Sequence, residues 1–289
     1  MFKKLLKYDK KAVSKLWWIG ALISFGSALI SAFLFRFVLP ILESNIKDDF
    51  IQTISGLGIT AATLSLVTVF SAVLFTEVLL FIRFYKHFFT DEGYLTFTLP
   101  VKRSALLLSK TVNAAIWNLA HFGVILAAMV LFAIIAIPPE PNGPFFNLIV
   151  FETIGEFLKG SWEAMGGWLI FYIFEGLLFL FTCLFFSISL VHFCITFGSV
   201  VVKKAKLILS IGIYYAISST LASISQFMMA TFGGVLFGGI ATFMEDATQN
   251  QICAAYACLF LSIIAAFAVI SAVLYAITQY MLDRKLNLA

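Results

Sequence analysis

Apolar residues in this chain gather into six long runs, at residues 17–39, 55–80, 112–137, 167–191, 207–230 and 252–280, with polar and basic segments between them. A helix needs about 20 apolar residues to cross the hydrocarbon core of a bilayer, and each run reaches that length. The pattern therefore predicts an all-α integral membrane protein with six transmembrane helices. The first run is expected to stop at Leu39 because Pro40 follows, and Pro138, Pro139 and Pro141 are expected to end the third.

Between the runs, the polar positions carry their own periodicity. Phe2, Leu5, Leu6, Val13 and Leu16 recur near helical spacing among lysines, which predicts an amphipathic elbow helix over residues 1–16 lying on the membrane; a simple topogenic lysine cluster is the alternative. Trp17 and Trp18 then fall at the interface, where indole rings are favoured. After the third run, Phe145, Phe146, Ile149, Ile154, Phe157 and Leu158 interleave with Glu152, Glu156 and Lys159, a mixture that suits an interfacial helix better than a spanning one. Residues 231–251 hold Gly233, Gly234, Gly238 and Gly239 before Glu245 and Asp246. This stretch is either an extracellular or re-entrant hairpin or a glycine-rich helix contact.

Charge adds orientation. Lys3, Lys4, Lys7, Lys10, Lys11 and Lys15, then Arg83, Lys86, Lys102, Arg103 and Lys110, then Lys203, Lys204 and Lys206, and finally Arg284 and Lys285 all fall in segments that would share one face. The opposite loops hold Lys47 and Lys159, with Arg36 near the far end of the first run. By the positive-inside rule both termini are cytoplasmic. With 62% hydrophobic and 12% charged residues in 289, the chain has no room for a separate soluble domain, so residues 1–289 read as one membrane domain. The net charge of +4 is then a topology signal rather than a nucleic-acid footprint.

Candidate chemistry is sparse. Cys183, Cys194, Cys253 and Cys258 form no CxxC and no metal-ligand spacing, and His87, His121 and His192 stand far apart, as packing residues do. No GxxxxGK[ST], HExxH or GxSxG motif occurs, so no catalytic residue, metal site or bound cofactor is assigned. Glu77 lies in the second run and Glu175 near the middle of the fourth, where a carboxylate costs roughly 2.5–3.5 kcal/mol on insertion scales. Either they are proton-relay or substrate groups, or Glu77 pairs with a base such as Arg83 and Glu175 rests protonated or against hydroxyls. In the fifth run Ser219, Ser223 and Gln226 share a face, preceded by Tyr214, Tyr215 and Ser218; Thr60, Thr63, Thr68 and Ser71 mark the second. Such hydroxyls can line a pathway or bond across helices.

The most structured polar segment is 83–111. Thr90 can cap a short helix whose dipole Asp91 and Glu92 complement, Gly93 breaks the pattern, and Pro100 suits the first turn of a helix leading into the third run. An aromatic-rich, amphipathic loop of this kind exceeds what a tether needs and has the character of a docking surface.

The string Asp91-Glu-Gly-Tyr-Leu-Thr-Phe-Thr-Leu-Pro-Val101, followed by Lys102, Arg103 and a Leu-Leu-Leu-Ser-Lys run, resembles the cytoplasmic loop of ABC-2-type transporter permeases of Gram-positive bacteria. The opening Phe2-Lys-Lys-Leu-Leu-Lys-Tyr8 is similar to theirs, and six spans match over the whole chain. The resemblance implies a permease subunit in the bacterial cytoplasmic membrane that pairs with a second, identical or homologous, permease. Each would contact a separate ABC ATPase subunit, which holds ATP and Mg. Thr90, Asp91, Glu92, Gly93, Tyr94, Leu99, Pro100, Lys102 and Arg103 would form the ATPase-coupling loop. A pathway between permeases at the first, second and fifth spans would give Tyr214, Ser219, Ser223 and Gln226 a role. Export of hydrophobic drugs, lipids or antimicrobial peptides fits that picture. Two other classes stay open: a proton-coupled carrier using Glu77 and Glu175, and a non-transporting immunity or scaffold protein.

Overall fold

A computed structural model describes residues 2–43, 49–98, 100–137, 149–202, 205–228 and 248–284. Among them the secondary structure is helical: α1 (Phe2–Glu43), α2 (Asp49–Phe89), α3 (Asp91–Phe97), α4 (Arg103–Ala136), α5 (Ile149–Met165), α6 (Trp168–Val201), α7 (Lys206–Met228) and α8 (Gln249–Arg284). Six of these, α1, α2, α4, α6, α7 and α8, are long and apolar enough to cross a membrane. The glycine-rich stretch 231–247, Leu99, Lys47, Lys203, Lys204 and Lys285 lie outside the described residues.

Most of the spans run longer than their apolar cores. At 42 residues α1 is about 63 Å long, twice a hydrocarbon thickness of about 30 Å. Residues 2–16 are helical and run into the first span without a break at Trp17; no glycine or proline interrupts them, and Lys and Leu are good helix formers. Pro40 sits inside the last turn of α1 rather than after its end. The amphipathic segment after the third span is helical, as α5, and is not among the span candidates.

The residues group into two compact units, Met1–Arg83 with Val112–Ser161, and Phe84–Thr111 with Trp162–Ala289. In the first, small residues let the helices approach closely, as in membrane bundles generally. Ala28, Val69 and Ala128 pack with Phe25 and Ile125, and Ala32, Ile135 and Ala136 pack with Leu29, Phe35 and Phe132. Ser31 Oγ donates to the Ala62 carbonyl (2.9 Å), and buried Arg36 donates to the Ile135 carbonyl (3.0 Å). That bond serves the last turn of α4, where unpaired carbonyls carry partial negative charge.

The second unit is built on α6, which packs against α8 and α7. Its α6–α8 contact is largely aromatic: Phe179 lies 5.3 Å from Phe260, and Phe186 meets Phe267 edge-on at 5.2 Å. Against α7 the contact tightens until a Cβ on Gly198 would come within 2.9 Å of the Ser210 nitrogen. At one end of the unit, Trp168 Nε1 donates to Asn250 Oδ1 (3.2 Å), Tyr172 donates to the Cys253 carbonyl (2.8 Å), and Gln249 donates to the Ala164 carbonyl.

Candidate functional site

The segment from the end of α2 to the start of α4 folds as a packed corner within the second unit. At seven residues α3 is too short to be stable alone, so its packing has to hold it. Phe97 lies 5.6 Å from Phe88, which is fully buried, and Phe88 lies 4.9 Å from Phe84. Phe84 in turn stacks on the His192 ring of α6 at 3.9 Å and 13°. Thr111 of α4 is 3.4 Å from the same imidazole. One row of rings thus joins α3 and the end of α2 to α6, and His192 is a packing residue, as its isolation in the sequence implied.

Thr90 precedes α3 with extended backbone, but its hydroxyl turns back to the Lys86 carbonyl (2.6 Å) and makes no capping bond. The expected break at Gly93 is absent. Gly93 is buried inside α3, and a Cβ there would stand 2.7 Å from the Phe88 carbonyl oxygen, so glycine is required by close approach of α3 to the end of α2. Pro100 lies in a bend ahead of α4 rather than in its first turn; α4 starts at Arg103, with the Lys102 carbonyl accepting from Ala105 and Leu106.

Arg103 is the residue whose role the sequence hid. A cation in the first turn of a helix opposes the helix dipole. Here its guanidinium leaves its own helix and donates to the carbonyls of Leu282 (2.6 Å) and Asp283 (2.9 Å), the last turn of α8, while lying 5.2 Å from the Phe97 ring centroid. The cation therefore satisfies orphan carbonyls at a C-terminus, where positive charge is favoured. The corner is fastened to α4, α6 and α8 together. Its outward side is Asp91, Glu92, Tyr94, Leu95 and Thr98, all exposed, with Tyr94 63% and Leu95 69% accessible. His87 and Glu92 stand 3.8 Å apart beside it. Chemically this face is two carboxylates beside an exposed aromatic and an exposed aliphatic side chain.

The intramembrane polar groups divide between the units. In the first, Glu77 accepts from Asn118 Nδ2 (2.9 Å), not from Arg83. The preceding residue, Thr76, reaches His121 Nδ1 (2.8 Å). Trp17 is buried against Trp117 (4.8 Å) and His121 (6.2 Å), and Trp18 is the exposed partner of the pair. In the second unit Glu175 is fully enclosed, and neither carboxyl oxygen has a hydrogen-bond partner among the described residues, so the expected hydroxyl contact is absent. It lies seven residues into α6, about 10 Å from that helix's start.

The hydroxyl stripes turn inward on their own helices. Thr60, Thr63, Thr68 and Ser71 donate to α2 carbonyls three or four residues back, and Ser218 and Ser219 do the same in α7. Ser219, Ser223, Gln226 and Tyr214 are exposed, on the least covered of the six spans. No group of three or more metal-ligating side chains occurs among the described residues. No family model, curated protein or solved structure matches this chain.

Proposed function

We propose that this chain is the membrane-spanning permease subunit of an ATP-binding-cassette exporter. It sits in a bacterial cytoplasmic membrane with both termini inside and takes its energy from ATP and Mg held by a separate ATPase subunit. The observation that carries the reading is the α2–α4 corner. A docking element must be rigid, must present an accessible face, and must be fastened to the spans it moves. The ring row from Phe97 to His192 and the Arg103 bonds to α8 supply the fastening, and Asp91, Glu92, Tyr94 and Leu95 supply the face. A rigid-body push on that face would reach α4, α6 and α8 at once. The exposed polar face of α7 supports a second permease subunit as its neighbour, with Tyr214, Ser219, Ser223 and Gln226 toward the pathway.

The test is co-purification from the native host in mild detergent with an ATPase assay. A stoichiometric P-loop subunit is expected. Its substrate-stimulated activity should disappear when Asp91 and Glu92 are both changed to Lys, while membrane insertion persists. Unchanged stimulation in that variant refutes the role of the corner.

A second reading, a proton-coupled carrier, draws on the enclosed Glu175. It predicts transport driven by a pH gradient with no ATPase present, abolished by Glu175→Gln.

A further inference from the structure

The amphipathic helix α5 is used by neither reading. Glu152, Glu156, Lys159 and Glu163 follow one another at spacings that align them along one side of the helix. Phe151, Ile154, Leu158, Trp162 and Met165 recur at three- and four-residue steps along the opposite side, and each is at least 40% exposed. The charged rail is exposed along its length as well. A helix so divided has one side that water should not touch and one that needs water.

We propose that α5 lies in the plane of the membrane surface, its apolar side in the headgroup–acyl boundary of uncharged or zwitterionic lipid and its acidic rail in water. Three observations select lipid as the occupant. First, α5 is tied directly to a span. Gly166, at φ +56°, closes α5 by donating to the Trp162 carbonyl (2.7 Å), and α6 begins at Trp168. The bond from Gln249 to the Ala164 carbonyl holds the same end of α5 at the start of α8, so that end meets the first turns of two candidate spans. Second, α6 itself carries exposed apolar side chains soon after the junction, with Ile170, Ile173 and Phe174 more than half accessible. Third, Trp162 and Trp168 both lie at this junction, and indole is favoured at the membrane–water interface.

The rail carries three carboxylates against one ammonium, so an anionic headgroup layer repels it. The helix is thus an anchor whose hold on the surface weakens as the lipid beneath it becomes more anionic.

The test uses the full chain in nanodiscs, with Cys183 and Cys258 changed to Ser and Cys194 and Cys253 to Ala. A spin label is placed at Leu158→Cys or at Glu156→Cys, and collision with oxygen is compared with collision with a water-soluble nickel chelate. In phosphatidylcholine the ratio should invert between the sites, oxygen dominating at 158 and nickel at 156. Equimolar phosphatidylglycerol should raise nickel access at 158, and changing Glu152, Glu156 and Glu163 to Gln should cancel that rise. Equal nickel access at both sites, or exclusion of both reagents from 158 by a protein neighbour, overturns the proposal. If the cysteine-free chain does not assemble, quenching of native-cysteine protein by brominated phosphatidylcholine decides instead. The quenched emission should fall in Trp162→Phe, and an unchanged quenched fraction overturns the proposal.

Discussion

Replacing Arg103 with alanine removes three interactions at once: two hydrogen bonds to the last carbonyls of α8 and the contact with the Phe97 ring. A charged donor on a carbonyl contributes about 1.5–3 kcal/mol when shielded, and less in water. The Leu282 bond is partly buried and the Asp283 bond exposed, so the lower part of that range applies. A cation over an aromatic ring at an accessible site adds about 0.5–1 kcal/mol. Together Arg103→Ala should cost about 2–4 kcal/mol of the corner's attachment. Arg103→Lys should retain about half, because an ammonium keeps the charge but is a shorter-reaching point charge without the planar guanidinium that lies against the Phe97 ring. Equilibrium unfolding in mixed micelles reads the total. Hydrogen exchange resolves its place: protection should fall in α3 and in the last turn of α8, and stay unchanged at the Trp168 end of α6. Pairing Arg103→Ala with Phe97→Leu should show a coupling of about 0.5–1 kcal/mol. If Arg103→Ala unfolds like the wild type and α8 exchanges at the wild-type rate, the clamp contributes nothing and the fastening of the corner to α8 is wrong.

Three further outcomes follow from close contacts and from an enclosed carboxyl. Gly93→Ala places a Cβ 2.7 Å from the Phe88 oxygen and 2.8 Å from its carbonyl carbon, both backbone. α3 must therefore move off α2, at about 1–3 kcal/mol, and protease sensitivity near residues 90–98 should rise. Gly198→Ala meets the Ser210 nitrogen and Cα at 2.9 and 3.0 Å, so it should separate α6 from α7 and lower stability by a similar amount; an unshifted unfolding midpoint would count against that crossing. Glu175→Leu deletes two carboxyl oxygens without partners among the described residues, so stability should hold or rise by about 1–3 kcal/mol. A comparable loss would mean that Glu175 has a partner in the working protein.

The spans were legible because a hydrocarbon slab imposes a simple code, length times apolarity, that each run satisfies by itself. Helix ends were not, because helices continue while propensity allows: α1 extends back to Phe2 and α6 on to Val201 after the apolar signal has weakened. That Trp17 is covered and Trp18 is not could not be read from the sequence, because neighbours on a helix point about 100° apart and only packing decides which one is covered. Pairing Glu77 with Arg83 failed for a related reason. Residues six apart do not face each other on a helix, whereas Asn118 on α4 does face Glu77. For the corner, the run from Thr90 to Glu92 announced a helix start, and α3 begins there. What the run could not carry was the meaning of Gly93 and Arg103. A glycine reads as a break until a neighbouring backbone is found too close for a Cβ. An arginine at a helix start reads as misplaced until carbonyls 179 and 180 positions away are found beneath it. Both residues look locally unfavourable for a helix, and in both cases the cause is a contact with another helix. Local misfit in an otherwise consistent sequence is therefore the signal that could have found the corner's attachments: it marked the residues, and the fold supplied their partners.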